Sequence, residues 1–221
     1  MRVDESTRSF WHRWHDAYDD PDSDLSERLI AIQHRLADSL DEAPRGAIRI
    51  ISACAGQGHD VIGVLKNHAR ASDVHALLVD TDDHNVRVAR DRIAAAGITG
   101  VAVLQADAGI TGTYRDAVPA DVLMLCGIFG NVSDEDVRRT VSNASRLCAP
   151  HAIVLWTRHR RDPDRTPQIR SWFADAWYEE LAFDSPGADR FALGTLRLAA
   201  PPLPYRPDIR LFTFWEDDGN A

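Results

Sequence analysis

Gly56-Gln57-Gly58 and Asp80 are the residues whose types and spacing carry the clearest chemistry in this sequence. Glycines allow a tight turn and let a ligand lie against bare backbone, and a helix opening just beyond them offers unpaired N–H groups to polar or anionic atoms. Asp80 follows at about the 20-residue spacing at which a nucleoside-binding unit places the carboxylate that accepts ribose hydroxyls. Thr81 stands beside it, in a run with Asp82 and Asp83, so a merely solvated acid is the bland alternative. Asp107, in Ala106-Asp107-Ala108, supplies a second acid, for which the alternative is a turn cap. Cys54 and Cys126 close two apolar runs and should be near neighbours; soft core fillers are the preferred reading over any redox role. His159, in Thr157-Arg-His-Arg-Arg161, fits either an anionic partner or a solvated basic loop.

These residues need a frame, and hydrophobic patterning provides one. Ile48–Ala53 is an apolar run that breaks into small residues and resumes at helical spacing with Ile62, Leu65 and Ala69, which predicts strand, turn and helix. Val74–Asp80, Val101–Gln105, Asp121–Cys126 and Ala152–Thr157 read as further strands. Between them, Asn85–Ala96 reads as a helix stopped by Gly97. Ser133-Asp-Glu-Asp136 has the form of a capping box opening another helix, with Val137, Val141, Ala144 and Cys148 on its buried face. A helix through Ile169, Trp172, Phe173 and Ala176 precedes two strands, Glu179–Phe183 and Phe191–Leu198, with no helix between them. Strands alternating with helices predict an α/β, doubly wound, mainly parallel sheet, in which ligands sit off the carboxyl ends of the strands where strand order reverses. Residues 1–43 read as an N-terminal helical cap ahead of a sheet domain at 44–221. The cap has an aromatic helix over Thr7–Tyr18, with Trp11, Trp14, His15 and Tyr18 on one face, then a helix striped by Leu25, Leu29, Ile32, Leu36 and Leu40. The apolar tail Ile209–Trp215, after a proline-rich stretch, predicts a docked strand or a return over the pocket mouth.

Taken together, Gly56-Gln-Gly58, Asp80, Ala106-Asp107-Ala108 and Asp121-Val-Leu-Met-Leu-Cys126 resemble the class I S-adenosylmethionine-dependent methyltransferases, over roughly 48–157. The resemblance implies a Rossmann-like seven-stranded sheet with an antiparallel last strand. It also implies that Ser52, Ala53, Cys54, Gly56, Gly58, Asp80, Thr81, Asp107, Ala108 and Cys126 contact S-adenosyl-L-methionine, with S-adenosylhomocysteine as product. Asp80 would take the ribose hydroxyls and Asp107 the adenine amino group. The chain departs from the family's pattern in two places: Ser52 stands where an acid usually ends the first strand, and Cys54 where the first of three glycines is usual. The implied activity is SN2 methyl transfer to a small-molecule acceptor, with the aromatic cap as a lid or as plain packing. His15, Tyr18, Asn131 and His159 are the candidate catalytic residues, with Phe129 also on the substrate side. The acids that metal-dependent relatives carry after the fourth and fifth strands are replaced by Gly127 and Arg158, and the Asn-Pro-Pro-aromatic motif of amino-methylating DNA enzymes is replaced by Gly127-Ile-Phe-Gly-Asn131.

Bulk properties narrow the alternatives. The chain has 221 residues, a net charge of −9 and no basic run, which weighs against a nucleic-acid partner. Three cysteines do not make a disulfide framework, the first residues lack the apolar core of a signal peptide, and no stretch is long enough to span a membrane. The expectation is a cytoplasmic protein without a metal. A nicotinamide-dependent oxidoreductase would need glycines at 54, 56 and 59, where the chain has Cys54, Gly56 and His59. A protein of the same fold that binds the cofactor without turnover stays open, as do the accepting atom and the oligomeric state.

Overall fold

A computed structural model describes residues 23–186 and 190–215. The elements are α1 (Asp24–Glu42), β1 (Ile48–Ala53), α2 (His59–Leu65), β2 (Val74–Asp80), α3 (Asp83–Ala96), β3 (Val101–Gln105), β4 (Ala120–Leu125), α4 (Asp134–Ala144), β5 (Cys148–His159), α5 (Thr166–Asp175), β6 (Tyr178–Asp184) and β7 (Phe191–Leu198). The seven strands form one sheet in the order β3-β2-β1-β4-β5-β7-β6. All pairs from β3 to β5 are parallel, and β7 runs antiparallel to both β5 and β6. The order reverses at β1 and β4: the chain winds outward from β1 to β3, then returns to the other side of β1.

Period-two alternation explains why the central strands read as unbroken apolar runs. In β1, Ile51 and Ala53 enter one core while Ile48 and Ile50 enter the other. In β4, Leu123 and Leu125 face the first core and Val122 and Met124 the second. Helices cover both faces, so the inward positions on either side find apolar neighbours, while Arg49 near the start of β1 stays exposed. The first core holds an aromatic cluster in which the Trp156 and Phe173 rings stack at 5.9 Å between centroids. The second holds Ile32, Leu36 and Leu40 of α1 together with Val61, Ile62 and Leu65 of α2. Burying each such side chain contributes about 1.5–3 kcal/mol.

Local signals set the helix ends. The Ser23 hydroxyl caps α1 by accepting from the Ser26 N–H, and α3 stops at Gly97 in the left-handed conformation. Ser133 caps α4 by accepting from the Asp136 N–H at 3.1 Å. Only this half of the expected capping box forms, because Asp136 is engaged by Arg139 and by the Thr213 N–H. Two boundaries differ from the sequence expectation. Helix α2 ends at Leu65 and leaves Ala69 exposed, because Arg70 gathers the carbonyls of Leu40, Ala43, Pro44 and Gly46 and ties this loop to the end of α1. Cys148 opens β5 instead of closing α4, since a 3₁₀ turn at Ser145–Leu147 redirects the chain. The aromatic helix expected over Thr7–Tyr18 lies outside the described residues.

Candidate functional site

The turn after β1 is held in a shape that only small residues suit. Cys54, Gly56 and Gly58 take φ values of 55°, 54° and 70°, three left-handed residues within five. A side chain at 58 would put its Cβ 2.7 Å from Ile62 Cδ1 and 2.8 Å from Leu78 Cδ2, so glycine there answers both backbone and packing. Asp80 fixes the turn from the neighbouring strand. One of its carboxylate oxygens accepts the Gly56 N–H at 2.8 Å, and the other accepts the Asp82 N–H at 2.9 Å. The Ala55 N–H also bonds the Val79 carbonyl at 2.9 Å. Asp80 therefore joins the two loops at the carboxyl ends of β1 and β2.

Asp107 plays a similar part after β3, accepting the Gly109 N–H at 2.7 Å on one oxygen and pairing with Arg210 at 2.5 Å on the other. Arg210 belongs to the tail, which crosses the carboxyl edge of the sheet as the apolar run Ile209–Trp215 implied. Thr111 N–H bonds the Ile209 carbonyl, Leu211 N–H bonds that of Gly109, and Trp215 N–H bonds that of Asn131. The tail thus spans from the loop after β3 to the loop after β4. It passes so close to Gly109 that a side chain there would collide with the Phe212 carbonyl.

These pieces enclose a cleft of about 240 Å³ at the reversal of strand order. Cys54, Ala55 and Gly56 line it from the first turn, Asp80, Thr81, Asp82 and Asn85 from the second, Asp107 and Ala108 from the third, and Cys126 and Gly127 from the fourth. His59 and Asp60 of α2, Leu29 and Ile32 of α1, and Phe212 and Phe214 of the tail complete the wall. Among the described residues the charged side chains in this wall are all aspartates. Burial raises the pKa of Asp80 and of Asp60 from the ordinary aspartate value. Burial also pushes up the Cys54 thiol, reinforced by Asp80 and Asp107, and the Cys126 thiol, where Asp60 reinforces it and Arg28 opposes it. Both cysteines are neutral at pH 7, so neither is an activated nucleophile.

Seven of the residues singled out from sequence line the cleft: Cys54, Gly56, Asp80, Thr81, Asp107, Ala108 and Cys126. Three others from the same motif do not. Ser52 and Ala53 are buried in β1 and Gly58 caps α2, so they build the turn without lining the cleft. Asn131 sits outside the lining, its amide donating to the Gly127 carbonyl at 2.8 Å. His159 ends β5 beside Gly130; burial, then Arg158 and Arg161, lowers its pKa, and it too is outside the lining. Phe129 is fully buried in the aromatic cluster, not in the cleft. His15 and Tyr18 lie outside the described residues. Sequence reasoning missed Asp60, whose signal was its place in the first turn of the helix beyond the glycines. It also missed Leu29 and Ile32, which read only as part of a packing stripe. Among the described residues no group of three His, Cys, Asp or Glu side chains is arranged to hold a metal.

No protein-family model matches the chain, and no curated protein sequence matches it. Solved structures do. A magnesium protoporphyrin IX methyltransferase from Synechocystis, solved with bound S-adenosylmethionine, superposes with a TM-score of 0.62 at 13% identity, over 89% of this chain and 98% of that one. The fold is that of the S-adenosylmethionine-dependent methyltransferases. An O-methyltransferase family protein from Burkholderia thailandensis has the same methyltransferase fold, with a TM-score of 0.59 at 18% identity, over 80% of this chain and 59% of that one. A protein from Bordetella parapertussis described as a possible exported protein matches with a TM-score of 0.62 at 16% identity, over 79% of this chain and 68% of that one. In the methyltransferase-fold sheet described above, the cleft occupies the position that strand order assigns to ligands.

Proposed function

We propose that this chain is an S-adenosylmethionine-dependent methyltransferase acting on a small-molecule acceptor in the cytoplasm. The observation that carries the reading is the cleft itself: a backbone turn pinned by Asp80 at the switch point, walled by carboxylates. S-adenosylmethionine carries a sulfonium and an ammonium against a single carboxylate, a net positive charge that an acidic wall favours. The pyrophosphate of a nicotinamide dinucleotide would meet no lysine or arginine among the lining residues. The Asp80 carboxylate accepts the Gly56 and Asp82 N–H groups and a side-chain hydrogen bond from Asn85, and of its roughly four lone-pair sites one is left for a ribose hydroxyl. Asp107 and Ala108 stand one strand further out, where an adenine edge and face would lie, and Tyr114 holds the Ala108 carbonyl at 2.7 Å. Phe212 and Phe214 wall the tail side.

When bound, the cofactor supplies an electrophilic methyl group for in-line displacement. The chain's share is to hold acceptor and methyl in line, which supplies roughly 7–11 kcal/mol of the barrier. A general base adds 10²–10⁴-fold, about 3–5 kcal/mol, so positioning dominates. Neither His159 nor Asn131 lines the cleft, and that observation favours a second reading in which the chain binds the cofactor without turnover. The experiment is a thermal melt. Ligand at 100 times its dissociation constant stabilises the fold by about 2.7 kcal/mol. S-adenosylmethionine and S-adenosylhomocysteine should then raise the melting midpoint by about 5–10 °C, at roughly 2–4 °C per kcal/mol. A rise with NADH and none with either sulfur ligand refutes the proposal. Radiolabelled methyl transfer across a panel of small acceptors separates enzyme from binder.

A further inference from the structure

Carboxylates line the cleft at two ends. Strand order β3-β2-β1-β4 puts Asp107, after β3, and Asp80, ending β2, at one end, and Cys54 between them and β4 feels both charges. On the other side of β1, Val61 and Ile62 of α2 share a core with Val122 and Met124 of β4, and Cys126 at the end of β4 feels both Asp60 and the opposing charge of Arg28. A ligand whose adenosine rests on Asp80 and Asp107 therefore extends past the β1 turn toward Asp60, Cys126 and Gly127, with Leu29 and Ile32 above. The first strand brings no charge to that end: Ser52 is 2% exposed and absent from the lining. Asp60 is the only carboxylate lining the cleft at that end among the described residues. Its carboxylate accepts the adjacent Val61 N–H at 2.7 Å and its own backbone N–H, and Arg28 offsets part of its charge without an ion pair between them among the described residues. An ammonium group arriving there would meet an acceptor of opposite charge in a partly buried setting, where a charge-assisted bond is strongest.

We infer that Asp60, the second residue of α2, binds the α-ammonium of the cofactor's amino-acid end, at a place in the chain later than the strand terminus occupied by Ser52. This inference rests on the cofactor reading above. It makes Asp60 a residue that selects ligands carrying the amino-acid moiety over those that end at the thioether.

The test compares two neutral-sulfur ligands by titration calorimetry: S-adenosylhomocysteine, which carries the ammonium, and 5′-methylthioadenosine, which lacks it. Wild-type protein should prefer the former by at least tenfold. Asp60→Asn keeps shape and removes charge; it should lose at least tenfold in affinity for S-adenosylhomocysteine while methylthioadenosine binding stays within twofold. Retained methylthioadenosine binding also reports that the variant is folded. Should Asp60→Asn keep the wild-type preference, or lose both ligands alike, the assignment of Asp60 is overturned while the cofactor reading stands. Asp60→Glu provides a second variant, expected to restore part of the preference; a Glu variant no better than Asn also counts against it. If wild-type protein binds neither ligand, the cofactor reading fails and this inference falls with it.

Discussion

At the scale of single residues, Asp80 has two tasks that can be separated. It organises the turn through the Gly56 N–H, and on the proposed reading it also meets a ribose hydroxyl. Replacing it with alanine leaves the Gly56 and Asp82 amides without their carboxylate and removes the ligand contact. Asp80→Ala is therefore expected to weaken S-adenosylhomocysteine at least tenfold, about 1.4 kcal/mol or more. Unchanged affinity in calorimetry would mean that the ligand lies elsewhere. Asp60 makes a prediction in the ligand-free protein as well. Its folded pKa is raised by burial, so between the unfolded value and the raised one the folded state binds more protons than the unfolded state. Its contribution to stability therefore falls as pH rises through the window above about 4. Asp60→Asn, which does not titrate, should gain stability relative to wild type between pH 4 and pH 7. Urea midpoints for both proteins at the two pH values check this, and a relative loss contradicts it.

At the scale of elements, the tail is informative because two kinds of force hold it. Arg210 pairs with Asp107, but their side chains are 44% and 51% exposed. Such a pair is worth at most about 1 kcal/mol. Leu211 and Phe212 are each 1% exposed, buried against the first core. Truncating a buried leucine costs about 2–5 kcal/mol. Arg210→Ala should thus change the urea-derived stability by less than about 1 kcal/mol, and Leu211→Ala by several times that. The reverse ranking would show that the ion pair, not apolar burial, anchors the segment over the cleft. Helix α1 is fastened similarly, with its apolar stripe inside the second core and Arg35 making two 2.7 Å bonds to Asp184 at the far end of the sheet.

At the scale of the whole molecule, that sharing of a core leads us to expect that α1 unfolds together with the sheet. Leu36 is fully buried, so Leu36→Ala should cost about 2–5 kcal/mol and lower one cooperative transition, seen alike by far-ultraviolet dichroism and tryptophan fluorescence. Two separated transitions would make α1 an independent cap. The net charge of −9 finds a local counterpart in a cleft whose charged lining is acidic. The sequence by itself determined the alternation of strands and helices, the parallel sheet and the glycine turn facing Asp80. Those properties follow from side-chain period and backbone freedom, which are local. Only the tertiary structure decided that Asp60 lines the cleft while Ser52 stays buried, that His159 and Asn131 stay out of it, and that Phe212 and Phe214 wall it. Each of these depends on where distant segments meet across the carboxyl edge of the sheet, and no spacing along the chain records such a meeting.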